Sequence, residues 1–105
     1  MEEITVTELA ARMKDDDAPI VIDVREPDEF AYARVEGAQL MPLGGIMNWM
    51  QELDPEKDYV MLCHTGNRSA YATMILRQMG FKSVRNLVGG IDAWSALVDP
   101  SVPRY

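Results

Sequence analysis

Hydrophobic and polar positions along the chain fall into short blocks whose period changes repeatedly. Thr5-Val6-Thr7-Glu8 has the Thr-x-x-Glu spacing of a capping box, and Leu9, Ala10 and Met13 form the apolar face of a short helix behind it. Asp15-Asp16-Asp17 ends that helix in solvent. Ile20-Val21-Ile22-Asp23-Val24 is β-branched and apolar on both faces, the pattern of a parallel strand buried between helix layers. Pro27 then suits a first helical position, about two turns fit before Gly37, and Gln39-Leu40-Met41 reads as another strand. Ile46, Met47, Trp49, Met50 and Leu53 predict a helix with a wide apolar face that ends near Asp54-Pro55. Tyr59-Val60-Met61-Leu62-Cys63 is the next strand. Ser69 is expected to cap a helix carrying Tyr71, Ala72, Met74, Ile75, Leu76 and Met79, with Gly80 at its end. Ser83 to Leu87 is a last short strand, Gly89-Gly90 a tight bend, and Ile91 to Leu97 a final helix bearing Trp94. Pro100 and Pro103 keep the tail from Asp99 to Tyr105 out of a helix, and disorder is the expected state there.

Strands alternating with helices call for an α/β layered fold, a short and mainly parallel central sheet with helices on both faces. Such sheets bind ligands beyond the carboxyl ends of their strands. Cys63 stands at one such end and Asp23 to Arg25 at another. No internal repeat or linker divides the 105 residues, so residues 1–105 are expected to form a single unit. The eight Met residues fall mostly on apolar faces and read as core filling.

Composition narrows the chemistry. A single Cys excludes an intrachain disulfide and a Cys-x-x-Cys pair, and with one His it excludes a four-ligand structural zinc site. The acidic opening Met1-Glu2-Glu3-Ile4 lacks the basic and apolar regions of a secretory signal, and no apolar run is long enough to span a membrane. A reducing, cytoplasmic setting is the expectation for an unpaired Cys. Net charge of -7 speaks against nucleic acid as a partner, but the charge is uneven. Residues 1–58 carry 15 acids and 5 bases; residues 59–91 carry Arg68, Arg77, Lys82 and Arg85 and no acid. The lone thiol lies in the positive segment, which suits a small anion.

Cys63-His64-Thr65-Gly66-Asn67-Arg68-Ser69 joins a buried strand to a helix N-terminus, so backbone N–H groups without helical partners can converge on the sulfur. That cradle, the positive end of the helix dipole and Arg68 together stabilise negative charge and favour thiolate, and Arg68 is expected to contact the anion or to brace the loop. Gly66 allows the loop to wind closely. Adjacency in sequence gives His64 no proton-transfer role. Asp23 and Arg25 read as structural, orienting neighbouring loops through hydrogen bonds.

These motifs together resemble a single-domain rhodanese, a sulfurtransferase, over essentially the whole chain. Val21-Ile22-Asp23-Val24-Arg25-Glu26 with Glu29-Phe30 is similar to the family's Asp-Val-Arg segment, Gly37-Ala38 and Met41-Pro42-Leu43 to its following turn and strand, and Cys63 to Ser69 to its active-site loop. Gly80-Phe81 and Leu87-x-Gly89-Gly90-Ile91-x-x-Trp94 complete the series. Ala33-Arg34-Val35 departs from the family's common Gly-His-Ile. The resemblance implies a three-layer rhodanese-like fold and a catalytic Cys63, with His64, Thr65, Gly66, Asn67, Arg68 and Ser69 forming the substrate-binding loop. It implies a small anionic sulfur donor such as thiosulfate, a cysteine persulfide, and cyanide, a thiol or a sulfur-accepting protein as acceptor. No metal or other cofactor is required.

Two other functions fit parts of the pattern. A related phosphatase or arsenate reductase also sets a Cys and an Arg in a cradle, but four residues separate Cys63 from Arg68 here where the phosphatase pattern has five. The shorter ring suits one sulfur atom. A non-catalytic rhodanese-like module that binds a protein or senses a signal would not need Cys63, Gly66 and Arg68 together.

Overall fold

The computed structural model describes residues 2–105; Met1, the first residue of the expected 1–105 unit, lies outside them. Five strands, β1 (Glu3–Ile4), β2 (Ile20–Asp23), β3 (Gln39–Leu40), β4 (Asp58–Leu62) and β5 (Ser83–Leu87), form one sheet in the order β1-β5-β4-β2-β3. Every adjacent pair is parallel. Five helices accompany it: α1 (Val6–Arg12), α2 (Pro27–Tyr32), α3 (Ile46–Trp49), α4 (Asn67–Gln78) and α5 (Gly90–Leu97). The fold is the expected α/β arrangement with helices on both faces, and its sheet is wholly parallel rather than mainly so.

Period-2 alternation divides the core into two layers. Val60 and Leu62 of β4 turn to one side, where Val21 and Leu87 meet Val6 and Leu9 of α1 and Ile91 and Trp94 of α5. Tyr59, Met61 and Cys63 turn to the other, against Ile22, Val84, Ile46, Trp49, Ala72 and Leu76. The thiol therefore sits on the α3–α4 side. The α1 capping box is present as read, with the Thr5 and Glu8 side chains each accepting the other's backbone N–H.

Several elements differ from their sequence pattern. The edge strand β1 is only two residues long, too short for alternation to reveal it, and is held by bonds such as Val88 N–H to the Ile4 carbonyl. The helix expected over Ile46 to Leu53 is one α turn between two 3₁₀ turns, Leu43–Gly45 and Met50–Glu52, because Pro42, Gly44 and Gly45 precede it and little chain remains before Pro55. Ser69 does not cap α4. The cap is Gly66, and the Ser69 side chain is turned inward. Met50 and Met61 fill the core, but Met47, Met74 and Met79 project from the surface. The tail is ordered against the body: Val102 is buried, its carbonyl accepts the Ser95 hydroxyl, and Arg104 pairs with Asp92. Among the described residues no helix is long and apolar enough to cross a membrane.

Candidate active site

The chain leaves β2 for β3 on one side of the sheet and leaves β4 for β5 on the other. The crevice between the carboxyl ends of β2 and β4 is thus the switch point of the topology. Cys63 follows β4 directly, and Asp23 ends β2.

The loop after β4 is shaped by α5. Ile91 N–H donates to the Cys63 carbonyl (2.9 Å) and Asp92 N–H to the His64 carbonyl (3.1 Å). These donors are first-turn amides that no intrahelical acceptor could serve. With both carbonyls pulled toward α5, the chain turns through Gly66 at φ +113°, in the left-handed region that favours glycine. Gly66 N–H then donates to Cys63 Sγ at 3.1 Å. Gly90 permits the approach: it has φ +56°, and a Cβ there would collide with the Cys63 and His64 carbonyls. Ser69 Oγ lies 3.2 Å from the sulfur, and α4 begins at Asn67 with its positive end toward the loop. Cys63 is only 1% exposed, so these polar contacts act on it away from bulk water.

The loop after β2 is saturated. Arg25 and Asp23 are both fully buried, and all five guanidinium N–H groups have acceptors. Nε and Nη2 donate to the Asp23 carboxylate (2.7–3.1 Å), Nη2 also to the Ala33 carbonyl (2.6 Å), and Nη1 to Tyr105 Oη (2.8 Å) and the Glu29 carbonyl (3.4 Å). Asp23 and Arg25 thus take the loop-orienting role read from the sequence.

A second carboxylate joins the two loops. Arg68 donates Nη1 and Nη2 to Glu29 Oε1 and Oε2 at 2.7 and 2.9 Å, and Tyr105 Oη donates to Oε2 at 2.7 Å. The Arg68 fork, helped by the Glu26 amide and Tyr105 and opposed by burial, lowers the Glu29 carboxyl from 4.5 to about 2. The Tyr105 ring also stacks on His64, centroids 4.0 Å apart and 7° from parallel.

The structure therefore gathers Cys63, Gly66 and Ser69 around the sulfur and distributes the rest of the loop. Arg68 braces it against Glu29, and His64 lies under Tyr105. Thr65 and Asn67 are exposed and line an open groove of about 380 Å³ that does not include the sulfur. Among the described residues no group of three or more His, Cys, Asp or Glu could hold a metal ion. Three participants carry no role in the sequence pattern by themselves. Glu29 stands within a longer motif, Tyr105 lies 80 residues from the arginine it contacts, and Asn86 sits inside β5. The signal for Asn86 is a polar residue on the inward face of β5 shared with Val84.

A family model described as "Rhodanese-like domain" matches residues 5–97. The chain is 42% identical to the Arabidopsis thaliana "Rhodanese-like/PpiC domain-containing protein 12, chloroplastic", covering all of this chain but 38% of that relative. It is 35% identical to a protein of Allochromatium vinosum named "Sulfurtransferase", over 90% of this chain and 89% of the relative. A rhodanese-like domain protein from Staphylococcus aureus, solved by crystallography, superposes with a TM-score of 0.86 at 27% identity, over 100% of this chain and 99% of that one.

Proposed function

The chain belongs to the rhodanese-like domain family, and we propose that it is a sulfurtransferase whose Cys63 carries sulfane sulfur from thiosulfate or another persulfide donor to cyanide or a thiol. The observation that carries this reading is the pair of groups able to donate to a charged sulfur, the Gly66 N–H and the Ser69 hydroxyl, at 3.1 and 3.2 Å from the buried Cys63 Sγ between a strand end and a helix N-terminus. Such donors stabilise negative charge on sulfur, both in the attacking thiolate and when it departs.

In the first half-reaction the Cys63 thiolate attacks the outer sulfur of thiosulfate. An S–S bond forms to Sγ, the S–S bond of thiosulfate breaks, and sulfite leaves with its electron pair. The persulfide that remains holds its charge on the terminal sulfur, within reach of the loop. In the second half-reaction cyanide or a thiolate attacks that terminal sulfur, and Cys63 leaves as thiolate. Two displacements through one covalent intermediate require ping-pong kinetics. Arg68 contributes by fixing the loop on Glu29, and this commitment argues against phosphoryl transfer, where the cationic fork would be needed on the substrate oxygens. Thr65, Asn67 and His64 complete the substrate side of the loop.

Intact mass after incubation with thiosulfate tests the proposal. One added sulfur atom in the wild-type chain, removed by cyanide and absent from Cys63→Ser, is the expected result; an unmodified wild-type chain contradicts it.

A further inference from the structure

Ser69 Oγ lies between two acceptors, 2.5 Å from Asn86 Oδ1 and 3.2 Å from Cys63 Sγ. A hydroxyl has one proton and cannot serve both. The orientation of Asn86 is set by its other end, because Nδ2 donates to the Gly66 carbonyl at 3.2 Å. Turning the amide over would place two carbonyl oxygens against each other, so Oδ1 is the atom that faces Ser69. Asn86 is 5% exposed and Ser69 is fully buried. Asn86 pairs across the sheet with Met61, two residues before Cys63 and on the same face.

We propose that Asn86 is a positioning residue, the acceptor that parks the Ser69 proton so that this hydrogen bond follows the charge on Cys63. When Cys63 is a thiol, Ser69 donates to Asn86 and receives the S–H proton on its own oxygen. When Cys63 is a thiolate, a charge-assisted bond is the stronger one, and the Ser69 hydroxyl turns to the sulfur. Asn86 Oδ1 then loses its donor in a buried site, which opposes ionisation. In the persulfide the charge moves to the outer sulfur and the Ser69 proton returns to Asn86. Asn86 thus tilts the resting site toward thiol. Arg68, the guanidinium of the loop, is already paired with Glu29. The Asn86–Ser69 contact is therefore the adjustable element in direct contact with Sγ. The inference rests on the reading of Cys63 as the working thiol but not on which sulfur compound it meets.

A merely structural Asn86 would lower or leave unchanged the thiolate population when removed; a parking acceptor does the reverse. The test is the ultraviolet absorbance of thiolate at neutral pH, taken as the difference from Cys63→Ser, so that the single cysteine is read without any substrate. Asn86→Val, which suits a strand, is expected to raise the thiolate-to-thiol ratio by about three- to tenfold. Ser69→Ala should lower it, and the gain should vanish in the Asn86→Val/Ser69→Ala double variant. No rise in a folded Asn86→Val protein, or a rise that survives loss of the Ser69 hydroxyl, overturns the proposal. If Asn86→Val does not fold, Asn86→Ala carries the same expectation and the same refutation. Sulfur loading from thiosulfate is scored separately: a chain that shows the Asn86 effect but takes up no sulfur refutes the sulfurtransferase reading alone.

Discussion

The loops after β2 and β4 occupy neighbouring strand ends at one crevice, yet they treat their polar groups in opposite ways. In the first, Asp23 and Arg25 are fully buried and each guanidinium N–H is answered within the protein. In the second, the carbonyls of Cys63 and His64 are bound by α5, while the first-turn amides of α4 have no intrahelical acceptor. A saturated network holds a geometry but offers nothing to a ligand. Donors that converge on a sulfur, as the Gly66 N–H does here, can answer a charge that arrives on it. Glu29 joins the two loops, and through it the rigid one holds the reactive one.

If this contrast is right, substitutions in the first loop act on stability and those around the second act on chemistry. Asp23→Ala is the most disruptive case, because it leaves Arg25 as an uncompensated buried charge. A loss of about 3–5 kcal/mol in urea unfolding is expected, and a loss below about 1 kcal/mol would break the comparison. Gly90→Ala should act on the other side. Its Cβ drives the Cys63 and His64 carbonyls off α5 and misaims Gly66 N–H, so sulfur transfer should fall about 10²-fold, further than stability falls. Equal losses in both would make the β4 loop another scaffold.

Smaller effects come from the link between the loops. Glu29 titrates near 2 when folded against an ordinary 4.5, so its stabilisation is fully present above 4.5 and is lost as pH falls through 2. With Arg68 partly exposed and screened, the contribution is about 1–2 kcal/mol. Melting of the wild type between pH 4.5 and pH 2 should therefore drop more steeply than that of Glu29→Gln; parallel curves would show that the pair contributes nothing. Tyr105→Phe removes the bonds to Arg25 and Glu29 but keeps the ring on His64, and should cost about 1 kcal/mol. An unchanged melting midpoint would mean that the tail is not docked in solution.

The elements most directly tied to local pattern are legible in the sequence itself. The buried runs of β2, β4 and β5, the Thr5–Glu8 capping box and the strand–loop–helix around Cys63 each follow from side-chain period, turn residues and capping chemistry. What escaped depends on contacts between distant segments. Ser69 reads as a helix cap because Ser favours that position locally, and only Asn86 in β5 and the sulfur in the opposite direction turn it inward. For Arg68 the sequence leaves two roles open, anion contact or bracing of the loop, and only Glu29, 39 residues earlier, supplies the brace. The tail reads as disordered because its prolines forbid a helix, whereas Val102 and Tyr105 dock without one. β1 needs the β5 edge to exist at all.

The central claim is that polar groups around residue 63 hold a transferable sulfur. Crystals soaked in thiosulfate would test it most directly. The account predicts one additional atom bonded to Cys63 Sγ, lying inside the Cys63–Ser69 loop and within hydrogen-bond distance of its backbone amides. An unaltered thiol, or an added atom turned away from the loop into the apolar side of α4, would contradict it.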